Sequence, residues 1–128
     1  MTARLQKQKG AMLLEALLSI LIFSFGILGL VGLQVVATQS SVSAENRTVA
    51  ALLANDLVSQ MWIHKKTGID ANEISQWQAK VVNSGLGNAI GQVEVDANGI
   101  ATITVQWKPP FEKESAANNR YVTKIAID

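Results

Sequence analysis

The sequence predicts an α+β fold: one long N-terminal helix, transmembrane and then amphipathic, packed on a small antiparallel β-sheet. Three observations carry this. Ala11 to Leu33 is an apolar run of 23 residues with a single charge, Glu15. Residues 34–64 contain no Pro and no Gly, so nothing interrupts a helix leaving that run. Residues 92–127 contain three segments of alternating apolar and polar residues, the signature of half-buried strands.

The 128 residues provide for one domain plus an anchor. The net charge is +1, too small to draw nucleic acid or acidic substrates by bulk electrostatics. The charge is not evenly spread. Residues 1–10 hold Arg4, Lys7 and Lys9 and no acid, and without them eight basic residues face ten acidic ones. The chain has no cysteine, which excludes disulfides and thiolate metal sites.

The apolar run is long enough, as a helix, to cross a hydrocarbon core about 30 Å thick. It exceeds the apolar stretch of a secretory signal, which runs roughly 7–15 residues. The three cations before it hold the N-terminus in the cytoplasm by the positive-inside rule, which sends residues 34–128 across the membrane. Glu15 is the anomaly. A carboxylate at the bilayer centre costs roughly 2.5–3.5 kcal/mol on insertion scales, so an intramembrane charge is a functional candidate whose partner has to be found. The competing reading is that Glu15 reaches back to the interface near the helix start. Gly26, Gly29 and Gly32 recur every three residues. They fit close helix–helix approach or a flexible point, and equally the ordinary glycine content of membrane helices.

Lys9-Gly10-Ala11-Met12-Leu13-Leu14-Glu15 resembles the class III signal of type IV pilins and type II secretion pseudopilins: a short basic leader, a Gly, then an apolar helix with Glu at its fifth position. In that family a membrane-embedded aspartyl prepilin peptidase cuts after the Gly on the cytoplasmic face and N-methylates the new N-terminus. The resemblance implies a leader over residues 1–10, cleavage between Gly10 and Ala11, N-methylation of Ala11, a transmembrane helix over 11–33 and a periplasmic head over 34–128. Family members more often carry Phe and then Thr where this chain has Ala11 and Met12. The chemistry is consistent with the resemblance. Gly10 has no side chain to hold a protease away, and cleavage frees an α-amino group at Ala11 that can pair with Glu15 of a neighbouring subunit. A charge left buried without a partner costs several kcal/mol, so such a pair favours one axial stagger between subunits.

Beyond the membrane, Val42, Val49, Leu53, Leu57 and Met61, with Leu52 beside them, form the apolar stripe of an amphipathic helix. Asn46, Arg47, Asn55, Asp56 and Ser59 fall on other faces. The expected helix runs from about Met12 to about Lys65, and Lys65, Lys66 and Gly68 supply its stop. His64, the sole histidine, has no catalytic companion in the sequence and reads as a helix-end residue near the C-terminal dipole. Asp70 and Glu73 have capping-box spacing before a short helix at 71–83, with Ile74, Trp77 and Val81 at helical intervals and Trp77 as a packing residue. Ser84–Gly91, with three glycines, reads as a loop.

Gln92–Asp96 alternates, Ala97-Asn98-Gly99 is a turn, and Ile100–Trp107 alternates again, giving a hairpin. Pro109-Pro110 ends the second strand, Glu112–Asn119 is a polar loop, and Arg120–Ile127 forms a third strand with Tyr121, Thr123, Ile125 and Ile127 on one face. The apolar stripe of the helix is the natural cover for the apolar side of this sheet. The Trp-Lys-Pro-Pro and Arg-Tyr-Val-Thr elements read either as a binding surface or as closure of a small core.

The sequence shows no nucleotide-binding loop, nucleophile elbow, EF-hand or metal-ligand constellation, so a structural protein is expected rather than an enzyme, with no cofactor and no metal. The narrower likeness is to minor pilins of the PilV type. It is carried by Gly26-Ile-Leu-Gly-Leu-Val-Gly-Leu-Gln34, Ala50-Ala-Leu-Leu-Ala-Asn-Asp-Leu-Val-Ser-Gln-Met61, Val105-Gln-Trp107 and Arg120-Tyr-Val-Thr123. That likeness implies insertion in the inner membrane, processing, and priming of or incorporation into type IV pili, with a part in cell-surface display or adhesion. The implied partners are prepilin peptidase, the major pilin, other minor pilins, the inner-membrane assembly platform and membrane lipid, without nucleic acid. Two alternatives stand: a minor pseudopilin of a type II secretion system, and, from another class, a signal-anchored periplasmic binding module.

Overall fold

The computed structural model describes residues 2–128, and side chains from Arg4 onward. Its elements are α1 (Thr2–His64), α2 (Ala71–Val82), β1 (Ile90–Val95), β2 (Ala101–Trp107) and β3 (Asn119–Ile125). The chain divides into two compact units, Met1–Val42 and Ser43–Asp128.

In the first unit α1 begins at Thr2, not near Met12 as expected. Leu5, Gln6, Lys7, Gln8 and Lys9 are all good helix formers, and a single Gly10 does not stop them. The segment is long and apolar enough to cross a membrane, with a mean hydropathy of 2.5 over its most apolar window. It is therefore a candidate membrane span near the N-terminus.

The second unit is an α+β head. Its core joins Ala50, Ala54, Leu57 and Met61 of α1 to Trp77 and Val81 of α2 and to Ala101, Ile103, Val105 and Trp107 of β2. The sheet is antiparallel in the order β1-β2-β3. β2 alternates buried and half-buried residues without a break, with the expected four residues inside. Tyr121, Ile125 and Ile127 also face the core. The helix covers the sheet as expected, with Leu57 and Met61 in the core and Val49 and Leu53 packed against it, and Ala50 and Ala54 widen the stripe. Ala50 and Ala54 are fully buried, whereas Leu52 is 63 % exposed. The two alanines, four residues apart, let another side chain come close to the helix backbone. The indole Nε1 of Trp77 donates to the Leu53 carbonyl at 2.7 Å, which has a lone pair to spare beyond its helical bond. The ring is itself 1 % exposed.

Trp77 also explains why β1 starts two residues before the expected Gln92. A Cβ on Gly91 would lie 2.6 Å from its ring, so the residue that looks like loop glycine is a strand position where the indole closes on the backbone.

Both helix ends in the head differ from expectation. At the end of α1, Lys66 N–H donates to the Met61 carbonyl and Lys65 N–H to that of Trp62, the paired bonds of a Schellman motif. The left-handed residue is Lys65 (φ 52), not Gly68. The expected capping box does not form. Asp70 is the N-cap of α2, but its side chain makes no capping bond. Glu73 turns away to His64, with Oε1 3.1 Å from Nε2. His64 is thus tied to the next helix as well as placed at the end of its own.

Between β1 and β2, Gly99 N–H donates to the Asp96 carbonyl and Asp96 N–H to that of Ile100, while the Asp96 carboxylate accepts from the N–H groups of Asn98 and Ile100. This is a type I turn followed by a left-handed glycine, Gly99 at φ 78. The buried Thr67 hydroxyl fastens that turn to the α1–α2 connection by donating to the Gly99 carbonyl at 2.7 Å. After β2, the Lys108 ammonium donates to the carbonyls of Glu114 and Ala116, each at 2.5 Å, and gathers the polar loop around itself.

Candidate functional site

The residues singled out in the N-terminal segment, Gly10, Ala11 and Glu15, lie on one continuous stretch of α1. Ala11 and Glu15 are four residues apart and so share a face of the helix, separated by a rise of about 6 Å. All three are exposed. Nothing comes within 4 Å of where a Cβ on Gly10 would be, so this glycine is not required by packing within the chain.

Glu15 has no ion-pair partner among the described residues. The two ion pairs present, His64–Glu73 and Lys80–Asp56, both lie in the head. The nearest cation before it in sequence is Lys9, six residues away and off its face of the helix. The hydroxyls of the segment are handled differently. Ser24 Oγ donates to the Ile20 carbonyl at 2.8 Å and Thr38 Oγ1 to that of Gln34 at 2.9 Å. Helix carbonyls thus absorb these two hydroxyls. A carboxylate has no such recourse, because it needs a donor and the helix offers only acceptors at that depth. Within the chain, Glu15 is the one charged group of the apolar run and it is left unanswered.

Around it the surface is apolar apart from Ser19, one turn on. Leu14, Leu17, Leu18, Leu21, Ile22 and Phe25 are all more than half exposed. Gly26, Gly29 and Gly32 leave a shallow strip with nothing within 4 Å, narrow enough for a second helix to approach closely.

Among the described residues no three His, Cys, Asp or Glu side chains converge on a point. The buried side-chain nitrogens and oxygens among them all have hydrogen-bond partners. The Val105-Gln-Trp107 element closes the core through Val105 and Trp107. Arg120-Tyr-Val-Thr123 divides, with Tyr121 against the core and Arg120 and Val122 outward.

Comparison of the chain with family models, with characterised proteins and with solved structures finds no match.

Proposed function

We propose that this chain is a minor pilin subunit, resembling the PilV type, that is processed by prepilin peptidase and then primes or enters type IV pili. The supporting observation is the combination at Glu15: a single carboxylate in a membrane-length apolar helix, with no ion-pair partner among the described residues, four residues from the position where cleavage would create a new amino terminus. The segment sits ahead of a folded head that satisfies its own buried polar groups, so the unmet demand is confined to the helix.

In this reading the leader of residues 1–10 stays in the cytoplasm, the helix inserts in the inner membrane, and the chain beyond it lies in the periplasm. Hydrolysis of the Gly10–Ala11 peptide leaves a carboxylate on Gly10 and an amine on Ala11, which is then N-methylated. The scissile bond lies within α1, and a protease that takes its substrate extended must first unwind that turn. Glycine lowers the cost of doing so by about 1 kcal/mol relative to alanine. Removing Arg4, Lys7 and Lys9 then releases the charges that tie the end to the cytoplasm. In the filament the Ala11 amine of one subunit pairs with Glu15 of a neighbour, and both are spared burial as single charges. The partners are the major pilin, other minor pilins and the inner-membrane assembly platform.

The test is incorporation. Glu15→Ala should be processed between Gly10 and Ala11 as the native chain is, yet be depleted from sheared filaments while accumulating in the membrane. Native levels of Glu15→Ala in sheared filaments would refute the charge-pairing role.

A further inference from the structure

The sheet of the head has two edges, and they are treated differently. The bond from Asp96 N–H to the Ile100 carbonyl marks that pair as hydrogen-bonded. Bonded and non-bonded pairs alternate along an antiparallel ladder. With the observed register, Thr102, Thr104 and Gln106 of β2 therefore turn their backbone groups to β1, and Ala101, Ile103, Val105 and Trp107 turn theirs to β3. Their partners on β3 are Ile125, Thr123, Tyr121 and Asn119. The remaining β3 residues, Arg120, Val122 and Lys124, aim their N–H and C=O groups away from the sheet.

On β1 the corresponding outward groups belong to Gly91, Val93 and Val95, and α2 attends to that edge: Gln78 Nε2 donates to the Gly91 carbonyl at 3.0 Å. No helix or loop group does the same for β3. None of its outward backbone groups has a hydrogen-bond partner among the described residues outside the ladder. The side chains of these three residues are exposed and carry a definite charge pattern, with Arg120 and Lys124 on either side of Val122 and no acid between Asn119 and Ile125. Neither cation has a carboxylate partner among the described residues.

We propose that β3 is a docking strand that takes an extended acidic segment of another protein as a fourth strand of the sheet. Main-chain bonds to Arg120, Val122 and Lys124 would hold it, and acidic residues opposite Arg120 and Lys124, with a β-branched residue opposite Val122, would select it. A second copy of β3 is a poor occupant. Two β3 strands fully overlapped antiparallel about Val122 set Arg120 of each against Lys124 of the other, and like charges directly opposite destabilise a pair. The proposal stands independently of the filament reading, since it uses only the head.

The full chain in detergent micelles provides the test, with two synthetic peptides as probes, one built on Glu-Thr-Val-Thr-Glu and the other on Lys-Thr-Val-Thr-Lys. The acidic peptide should slow hydrogen exchange at the amides of Arg120, Val122 and Lys124 and bind about tenfold more tightly than the basic one. Val122→Pro removes one outward N–H without touching the ladder and should abolish that binding. The pair Arg120→Glu with Lys124→Glu leaves the backbone intact and should reverse the preference of the two peptides. The proposal is overturned if the acidic peptide protects none of the three amides. It is equally overturned if charge reversal leaves the preference unchanged, or if a single-stranded oligonucleotide protects these amides as well as the acidic peptide does.

Discussion

Leu21 and Leu57 lie on the same helix and meet opposite fates. Leu57 is fully buried among α1, α2 and β2, while Leu21 is 53 % exposed, as is most of the apolar run around it. Residues after Ser43 bury their apolar side chains against one another and satisfy their buried polar atoms. Residues 4–41 leave theirs exposed, although they are the more hydrophobic. The difference teaches where each region finds its stability. The head is specified by contacts within the chain, whereas the candidate membrane span leaves its leucines and Glu15 without contacts of that kind among the described residues. A substitution should therefore affect head stability in one region and assembly or insertion in the other.

The largest effect expected from this contrast is at Trp77, whose ring fills the head core and whose Nε1 reaches the Leu53 carbonyl. Trp77→Ala should cost roughly 3–5 kcal/mol of head stability. Leu21→Ala, removing a large apolar side chain from the other region, should leave that stability unchanged. Denaturant unfolding of the full chain in detergent, followed by tryptophan fluorescence, separates the two, because Trp62, Trp77 and Trp107 all lie in the head. An equal loss from both substitutions would break the contrast. A smaller loss is expected for Gly91→Ala, whose new Cβ would fall 2.6 Å and 2.8 Å from Trp77 ring carbons. Overpacking of this kind costs about 1–3 kcal/mol, measured in the same unfolding experiment. The smallest effect has the opposite sign. Lys65 holds φ 52 at the end of α1, and Lys65→Gly should stabilise the head by about 0.5–1 kcal/mol, the relief of left-handed strain less the added freedom of the unfolded chain.

The head was largely legible because its strands are short and two-sided. Alternation in Ala101–Trp107 and the spacing of Trp77 and Val81 each identify one buried face. What escaped notice was decided by small residues and by competition between polar ones. Ala50 and Ala54 carry little hydrophobic signal, yet their size admits the Trp77 indole to the helix. Gly91 resembles a loop residue until the ring beside it is placed. Asp70 and Glu73 have the spacing of a cap, but His64 captures Glu73 from another helix, which local spacing cannot anticipate. The open edge of β3 required the register of all three strands. In the N-terminal segment the membrane-length run and its lone carboxylate were plain in the sequence. The fold adds that the helix continues through Gly10 and that no cation among the described residues answers Glu15.

If the N-terminal helix is cut at Gly10 and completed by another subunit, as proposed, the mature chain starts at Ala11. The most direct measurement is the mass of the N-terminal peptide of this protein recovered from peptidase-competent cells. A chain that begins at Ala11 and carries one methyl group on its amine is expected. An N-terminal peptide still running from Met1 through Gly10 in those cells would contradict the proposal.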